Sequence, residues 1–338
     1  MSKRFICFGD IHFSSINQWN FEAGEHFISW FESHDFGNPE EIEFGFVGDI
    51  AERDTNPGNV VDQIDRLFKL CSKKGKHTYI AIGNHDKKLY HDIEQHSLVF
   101  LRKYKNISVI EKETVVDTEN GFKVLFLPWQ RIQGQTLHEY YDSLGDDWTT
   151  HHYDALVGHW QIKENTGLAW QQVGVDISRF DATCMCIGHI HNRVRDEYIG
   201  SVFPNNIDEY DPNHSRGYKV LNEDRTVIFE ELPEFLKYET IEIGTTPIET
   251  NKDCAVVYTV KNCVSELEAK EKYPNLLIRG IERETLFGKE KLDVSTDVIS
   301  NIQVTDPLTA LDEMIKEMGL TVSRPVYADL KKLLKPTA

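Results

Sequence analysis

The apolar positions of the chain follow two alternating rhythms. Short apolar runs at Arg4–Phe8, Ile42–Val47, Thr78–Ile82, Ile107–Ile110, Lys123–Leu127, Ala155–Val157 and Thr183–Ile187 read as strands. Between several of them the apolar residues recur at three- and four-residue intervals instead. Phe21, Phe27, Ile28 and Phe31 form one such helical face, and Val60, Val61, Ile64, Leu67, Phe68 and Cys71 form a clearer one. Asn59 is the expected N-cap of that second helix and Gly75 its expected stop. Leu89–Tyr104 reads as a third helix. Strands separated by helices predict a layered α/β architecture. Ligands in such folds gather at the carboxyl ends of the strands.

The pattern changes twice further on. From Val194 to about Leu232 it predicts strands and turns: Glu197–Ile199, Gly217–Leu221 and Thr226–Leu232, with Asn222-Glu223-Asp224 as a hairpin loop and a polar, turn-rich stretch at Pro204–Ser215. Cys254–Val260, a short helix over Val264–Tyr273 and Leu276–Ile281 then form a β-α-β unit, followed by a charged segment, Glu282–Asp297. In the tail, Leu308, Leu311, Met314, Ile315 and Met318 share one helical face, Pro325 ends it, and Val326–Leu334 offers a second amphipathic helix. The expected division is therefore 1–235, 236–302 and 303–338. Neither an internal repeat nor a low-complexity tract is visible.

Composition narrows the class. With 338 residues, 40% of them hydrophobic, the chain can fill a real core, and no run of 18 apolar residues predicts a membrane span. Met1–Asp10 moves straight into a strand with no apolar stretch before a cleavage site, so no signal peptide is expected. Cys7, Cys184 and Cys186 fall in apolar runs, where a reduced Cys acts as a small hydrophobe. Cys184 and Cys186 are too close for a usual zinc pair and read as alternate residues of one strand in a core. A reducing, cytoplasmic location is the expectation. The net charge of −18 works against unaided binding to a polyanion. Any action on DNA would need metal cations, a local basic patch or a partner to supply the grip.

The candidate chemistry lies in five motifs, each closing or directly following an expected strand: Asp10-Ile11-His12, Gly48-Asp49 running on to Glu52-Arg53, Gly83-Asn84-His85-Asp86, Gly158-His159 and Gly188-His189-Ile190-His191. Carboxylate, amide oxygen and imidazole suit hard or borderline divalent ions, and no Cys stands among them, which argues against structural zinc. A two-metal site needs a bridging carboxylate and a hydroxide generated between the ions. Asp49 is the candidate bridge. Asp10, His12 and one distal His would complete the first site, and Asn84, His159 and the other distal His the second. His85, next to Asn84, is the candidate general acid. Glu52 is a candidate to orient it, and Arg53 to hold a phosphate oxygen bidentately. The remaining His, at 26, 34, 77, 91, 96, 138, 151, 152 and 214, fit no ligand pattern.

These motifs resemble the calcineurin-like metallophosphoesterases over roughly residues 4–192. The resemblance implies a four-layer α/β fold, two mixed sheets flanked by helices. It assigns Asp10, His12, Asp49 and His191 to one metal and Asp49, Asn84, His159 and His189 to the other, with Mn²⁺ as the first expectation and Mg²⁺ or Fe²⁺ as alternatives. Val124–Trp129, Tyr198–Ser201, Asp208-Glu209 and Arg216–Tyr218 are similar to segments of SbcD-type recombination nucleases, most of all the short versions of T-even-like phages. That likeness implies a small α/β capping domain over 236–302 that positions DNA, C-terminal helices over 303–338 that bind an SbcC-type coiled-coil ATPase, and a homodimer in the host cytoplasm acting in DNA recombination, repair and replication. One departure stands out. Those nucleases usually carry an aromatic residue and then Asp where this chain has Ala51 and Glu52, and Glu52-Arg53 is closer to the wider phosphatase pattern. A phosphatase or cyclic-nucleotide phosphodiesterase therefore stays open as an alternative, as does a non-catalytic scaffold for the ATPase.

Overall fold

The computed structural model describes residues 2–52, 58–87, 96–130, 139–141, 148–163, 174–245, 253–263 and 265–282. Its centre is a six-stranded sheet in the order β10-β9-β1-β2-β3-β4. Strands β1 (Arg4–Phe8), β2 (Ile42–Phe46), β3 (His77–Ala81) and β4 (Ile107–Ile110) run parallel, and β9 (Gly217–Asn222) and β10 (Val227–Glu231) complete the sheet antiparallel. A second sheet has the order β5-β6-β7-β8, from Thr114–Asp117, Lys123–Leu127, His152–His159 and Asp181–Gly188. Its β6, β7 and β8 are parallel, while β5 pairs antiparallel at the edge.

Side-chain alternation sorts the residues of β1 between two cores. Phe5 and Cys7 point between the sheets, where they meet Tyr79, Val124, Phe126, Val157, Cys184 and Cys186. Ile6 and Phe8 point the other way, onto helices α1 (Gln18–Ser33) and α2 (Gly58–Lys74), through Phe27, Phe31, Ile64, Leu67 and Phe68. Because the parallel strands are buried on both faces, their sequences read as continuous apolar runs. The outer face of the second sheet packs Leu125, Leu156 and Tyr153 with Tyr141 and Trp160. The result is an α/β fold of mixed sheets flanked by helices, as expected. Cys184 and Cys186 are buried alternate residues of β8, as their spacing predicts.

Residues 236–282 add a parallel three-stranded sheet: β11 (Leu236–Glu242), β12 (Ala255–Lys261) and β13 (Leu277–Glu282), with helix α3 (Glu266–Lys272) crossing from β12 to β13. The predicted β-α-β unit is thus present. Leu236, Ala255 and Val257 join the core that contains α1, and Phe235 meets Phe27 with ring centroids 5.5 Å apart. Met1–Arg283 is one compact unit. The helices expected over 303–338 lie outside the described residues.

Several local expectations change. Within the stretch expected as one helix at 89–104, the described part is not α-helical. His96 bridges to Lys87, Ser97 donates to the Asp86 carbonyl, and Val99–Lys103 is a short 3-10 turn. Asn59 lies inside α2 rather than capping it, and its side chain accepts from the Val60 N–H. Gly75 does end α2, donating to the Cys71 carbonyl at 2.9 Å. Glu197–Ile199 is reduced to one bridge, Tyr198 with Ile187. Strands β5 and β11 were not predicted. β5 is a four-residue edge strand alternating between half-buried and exposed positions, and the apolar and charged residues of β11 lose their alternation at Thr240. No described helix is long and apolar enough to cross a membrane.

Candidate metal centre

The five motifs leave the carboxyl ends of strands in both sheets. β1 delivers Asp10 and His12, β2 delivers Asp49, and β3 delivers Asn84 and His85, all from the first sheet. β7 ends in His159 and β8 leads into His189 and His191, from the second. The loops are stitched together by main-chain bonds. His12 N–H donates to the Asp49 carbonyl at 2.9 Å, Phe13 N–H to Ile50 at 2.9 Å, and Glu52 N–H to Phe13 at 3.0 Å. The turn at Asp49 depends on two glycines. Gly48 has φ +114°, and a Cβ on Gly83 would fall 2.1 Å from Asp49 Oδ1. Three candidate ligands themselves take left-handed backbone angles: His12 (φ 55°), Asp49 (φ 46°) and His189 (φ 81°). Such conformations are costly for residues with a Cβ and cluster where a site dictates the chain path.

All seven candidate ligands converge. Asp49 Oδ1 accepts from the His85 backbone N–H at 2.7 Å. Its Oδ2 is thereby left between two imidazoles, 3.6 Å from His12 Nε2 and 3.1 Å from His159 Nε2. On one side, Asp10, His12 and His191 form a group of possible donors, and His12 Nε2 lies 3.0 Å from His191 Nε2. On the other, Asn84 Oδ1 is 2.9 Å from His159 Nε2 and 3.0 Å from His189 Nδ1. The ring nitrogens that face away are committed to oxygens. His159 Nδ1 donates to the Val47 carbonyl at 3.1 Å and His12 Nδ1 to Glu52 at 2.9 Å, while His191 Nδ1 lies 2.9 Å from Glu209 Oε1 and 3.2 Å from Asn205 Nδ2.

Glu52 also accepts from Nδ1 of His85, so one carboxylate holds both His85 and His12. The His85 ring stands edge-on to His12 with centroids 4.8 Å apart and keeps about a quarter of its side chain exposed, 24%. Arg53 lies outside the described residues. Of the other nine His, the described ones join none of the donor groups.

The electrostatics are those of a buried cluster of opposite charges. Burial disfavours a charge on His12, but the hydrogen bond to Glu52 and the charges of Asp49 and Asp10 outweigh it and raise its pKa to about 9. Burial likewise opposes ionisation of Asp49, yet His159, His12 and His85 hold it well below the usual carboxylate range. His159 is raised by Asp49 and Asp10 against its own desolvation. His189 moves the other way. Burial, joined by the charge of His159, pushes it down to about 4, so it is neutral at pH 7.

Three residues beside the centre went unassigned in the sequence reading. Asp86 is fully buried, and its carboxylate accepts from the backbone N–H of Ile50 at 2.9 Å, Ala51 at 3.2 Å and Gly83 at 2.9 Å. It ties the Asp49 turn to the Asn84 turn. Its adjacency to His85 in the motif was the available signal. Trp129 lays its half-buried indole against His189, with centroids 5.3 Å apart and the planes 35° apart, and its backbone N–H is anchored on the Ile82 carbonyl. Glu209 reaches His191 from a loop far along the chain; the SbcD-like pair Asp208-Glu209 marked the place but not the role.

A fold of this kind with carboxylates, an amide and imidazoles converging at its strand ends defines a metal-dependent hydrolase. Residues 3–193 match the calcineurin-like phosphoesterases, and the chain belongs to that family. Its members hydrolyse phosphoesters with two divalent metal ions. No curated protein matches the sequence. Among solved structures the chain is similar to a protein of unknown function from Aquifex aeolicus, at 13% identity over 58% of this chain and 90% of that one, with a TM-score of 0.29. The residues here fit such an ion pair. Asp10 Oδ1 is buried and makes no hydrogen bond, the His159 Nδ1–H 3.4 Å away being turned to the Val47 carbonyl, and the facing Nε2 atoms of His12 and His191 leave lone pairs that only a cation or a proton can separate.

Proposed function

We propose that this chain is a two-metal DNA exo- and endonuclease, the nuclease subunit of an SbcCD-like recombination and repair complex, working with Mn²⁺ as a homodimer beside a coiled-coil ATPase. The observation that carries the catalytic part is the placement of His85, held by Glu52 and within ligand distance of His12 and Asp49 of the converging donors. Asp10, His12, Asp49 and His191 would hold one ion and Asp49, Asn84, His159 and His189 the other. The ions would activate water and neutralise phosphate charge. His85 has Nδ1 committed to Glu52, which leaves Nε2 to protonate a departing sugar oxygen. With Nδ1–H kept on Glu52, the form that gives up an Nε2 proton is the imidazolium; the Glu52 carboxylate stabilises that cation, and transfer to the sugar oxygen leaves the neutral Nδ1–H ring.

The nucleic-acid part is supported by the SbcD-like segments and by Trp129. An indole face at the rim of a phosphoesterase centre suits stacking with a base. The acidic charge of −18 fits a subunit whose partner supplies much of the grip on DNA. The test is a Mn²⁺-dependent cleavage assay comparing single-stranded DNA, double-stranded DNA and bis-p-nitrophenyl phosphate, with and without the ATPase captured from the native source. DNA cleavage that strengthens with the ATPase is expected. Activity confined to small esters would favour the phosphatase reading, and a chain that binds no metal and cleaves nothing would favour the scaffold.

A further inference from the structure

We propose that Glu209 is a positioning residue that fixes the ring of His191 through Nδ1, so that His191 Nε2 is presented to the metal centre opposite His12. The proposal rests on the two-metal reading and deepens it. His191 needs such a device more than its neighbours. His159 is the last residue of β7 and is fully buried, with Nδ1 on a main-chain carbonyl. His191 lies past the end of β8 in a loop, with 21% of its side chain exposed. Glu209 Oε1 stands 2.9 Å from His191 Nδ1, where it is the acceptor for a proton held on Nδ1, and Asn205 Nδ2 lies 3.2 Å from the same nitrogen. Glu52 does the same for His12 at 2.9 Å, so two carboxylates aim two imidazoles at one point, where their Nε2 atoms stand 3.0 Å apart.

Glu209 is itself held. Its Oε2 accepts from the Asn205 backbone N–H at 2.9 Å and its Oε1 from Asn206 Nδ2 at 2.7 Å. Arg216 fixes both partners of the contact. It donates to the Glu209 carbonyl at 2.8 Å, to the His191 carbonyl at 3.1 Å and to Asn192 Oδ1 at 3.1 Å. The Ser201 N–H adds a further bond to the His191 carbonyl at 2.9 Å. One guanidinium thus braces the main chain of the metal loop and the main chain of Glu209, while Asn205 and Asn206 hold the carboxylate.

The experiment is Mn²⁺ titration of the full chain by calorimetry and electron paramagnetic resonance, for wild type, Glu209→Met, Glu209→Ala and Glu209→Gln. Wild type should take two ions and show the signal of a coupled pair. Met keeps the volume of the side chain but offers no acceptor, and Ala removes both. In each, one of the two affinities should fall about 10–100-fold, the usual cost of losing the partner behind a ligand imidazole. The other affinity and the metal-free melting temperature should hold, and isolated-ion signals should replace the coupled pair. Gln retains an oxygen that accepts from Nδ1–H and should restore most of the affinity. Unchanged binding of both ions in Met and Ala would overturn the proposal while leaving the two-metal reading intact. Equal loss at both sites with a lowered metal-free melting temperature would make Glu209 only a loop former and also overturn it. A wild-type chain that takes no Mn²⁺ would overturn the two-metal reading and this proposal with it.

Discussion

Most of the centre's imidazoles have one nitrogen committed to an oxygen outside it and the other turned inward, and that division governs the protons. In the metal-free protein His12 stays protonated up to about 9 rather than its ordinary 6.5, since Glu52, Asp49 and Asp10 outweigh burial. A raised folded-state value stabilises the metal-free protein below pH 6.5, and the gain is lost as pH climbs through about 9. A cation must displace that proton, so Mn²⁺ affinity should rise across the same window. Calorimetry in buffers of different ionisation heat should register proton release at pH 7 that shrinks by pH 9. No release at pH 7 would mean that His12 is already neutral. His85→Ala should leave metal content unchanged while phosphodiester cleavage falls about a hundredfold or more, in line with general-acid contributions. Unchanged cleavage would remove His85 from the reaction. Asp86→Asn sets an amide N–H against one of three backbone donors, at a cost of about 1–3 kcal/mol. Chemical denaturation of the metal-free protein should show that loss.

Among the elements, α2 gives the clearest agreement between sequence and structure. Its Val60, Ile64, Leu67, Phe68 and Cys71 fall on one helical stripe, and all are buried against the first sheet. Leu67→Ala should cost about 2–5 kcal/mol as a core truncation, while Lys69→Ala on the exposed side should stay within about 0.5 kcal/mol, as urea titrations would show. The stretch from 96 to 104 has helical spacing too, but long-range bonds compete for it. Asp86 takes the Ser97 N–H and Lys87 pairs with His96, so the site, not the local pattern, dictates the path. β5 carries only Val115 and Val116 between polar ends, too short a pattern to be separated from a loop without its partner β6.

At the scale of the whole molecule, Met1–Arg283 has its own cores and holds all seven candidate donors. A chain ending at Arg283 should therefore bind two metal ions and hydrolyse a small phosphodiester at a rate close to that of the full chain. On the proposed role of 303–338 it should no longer capture the coiled-coil ATPase. Metal analysis, a small-ester assay and a pull-down on the two lengths would check this. Loss of metal from the short form would place part of the centre's support beyond Arg283.

The order of strands and helices and the identity of the donors were legible in the chain, because period and residue type are local properties. Asp10, His12, Asp49, Asn84, His159, His189 and His191 could each be picked out as a donor at a strand end. Their convergence was not local. It needed β1, β2 and β3 in one sheet to end beside β7 and β8 of the other. The same packing decided that Glu52 serves two imidazoles, that Asp86 pins two turns and that Glu209 stands behind His191. Hydrogen bonds between residues far apart in sequence leave no periodic trace along it, so only the folded arrangement of the two sheets could assign them.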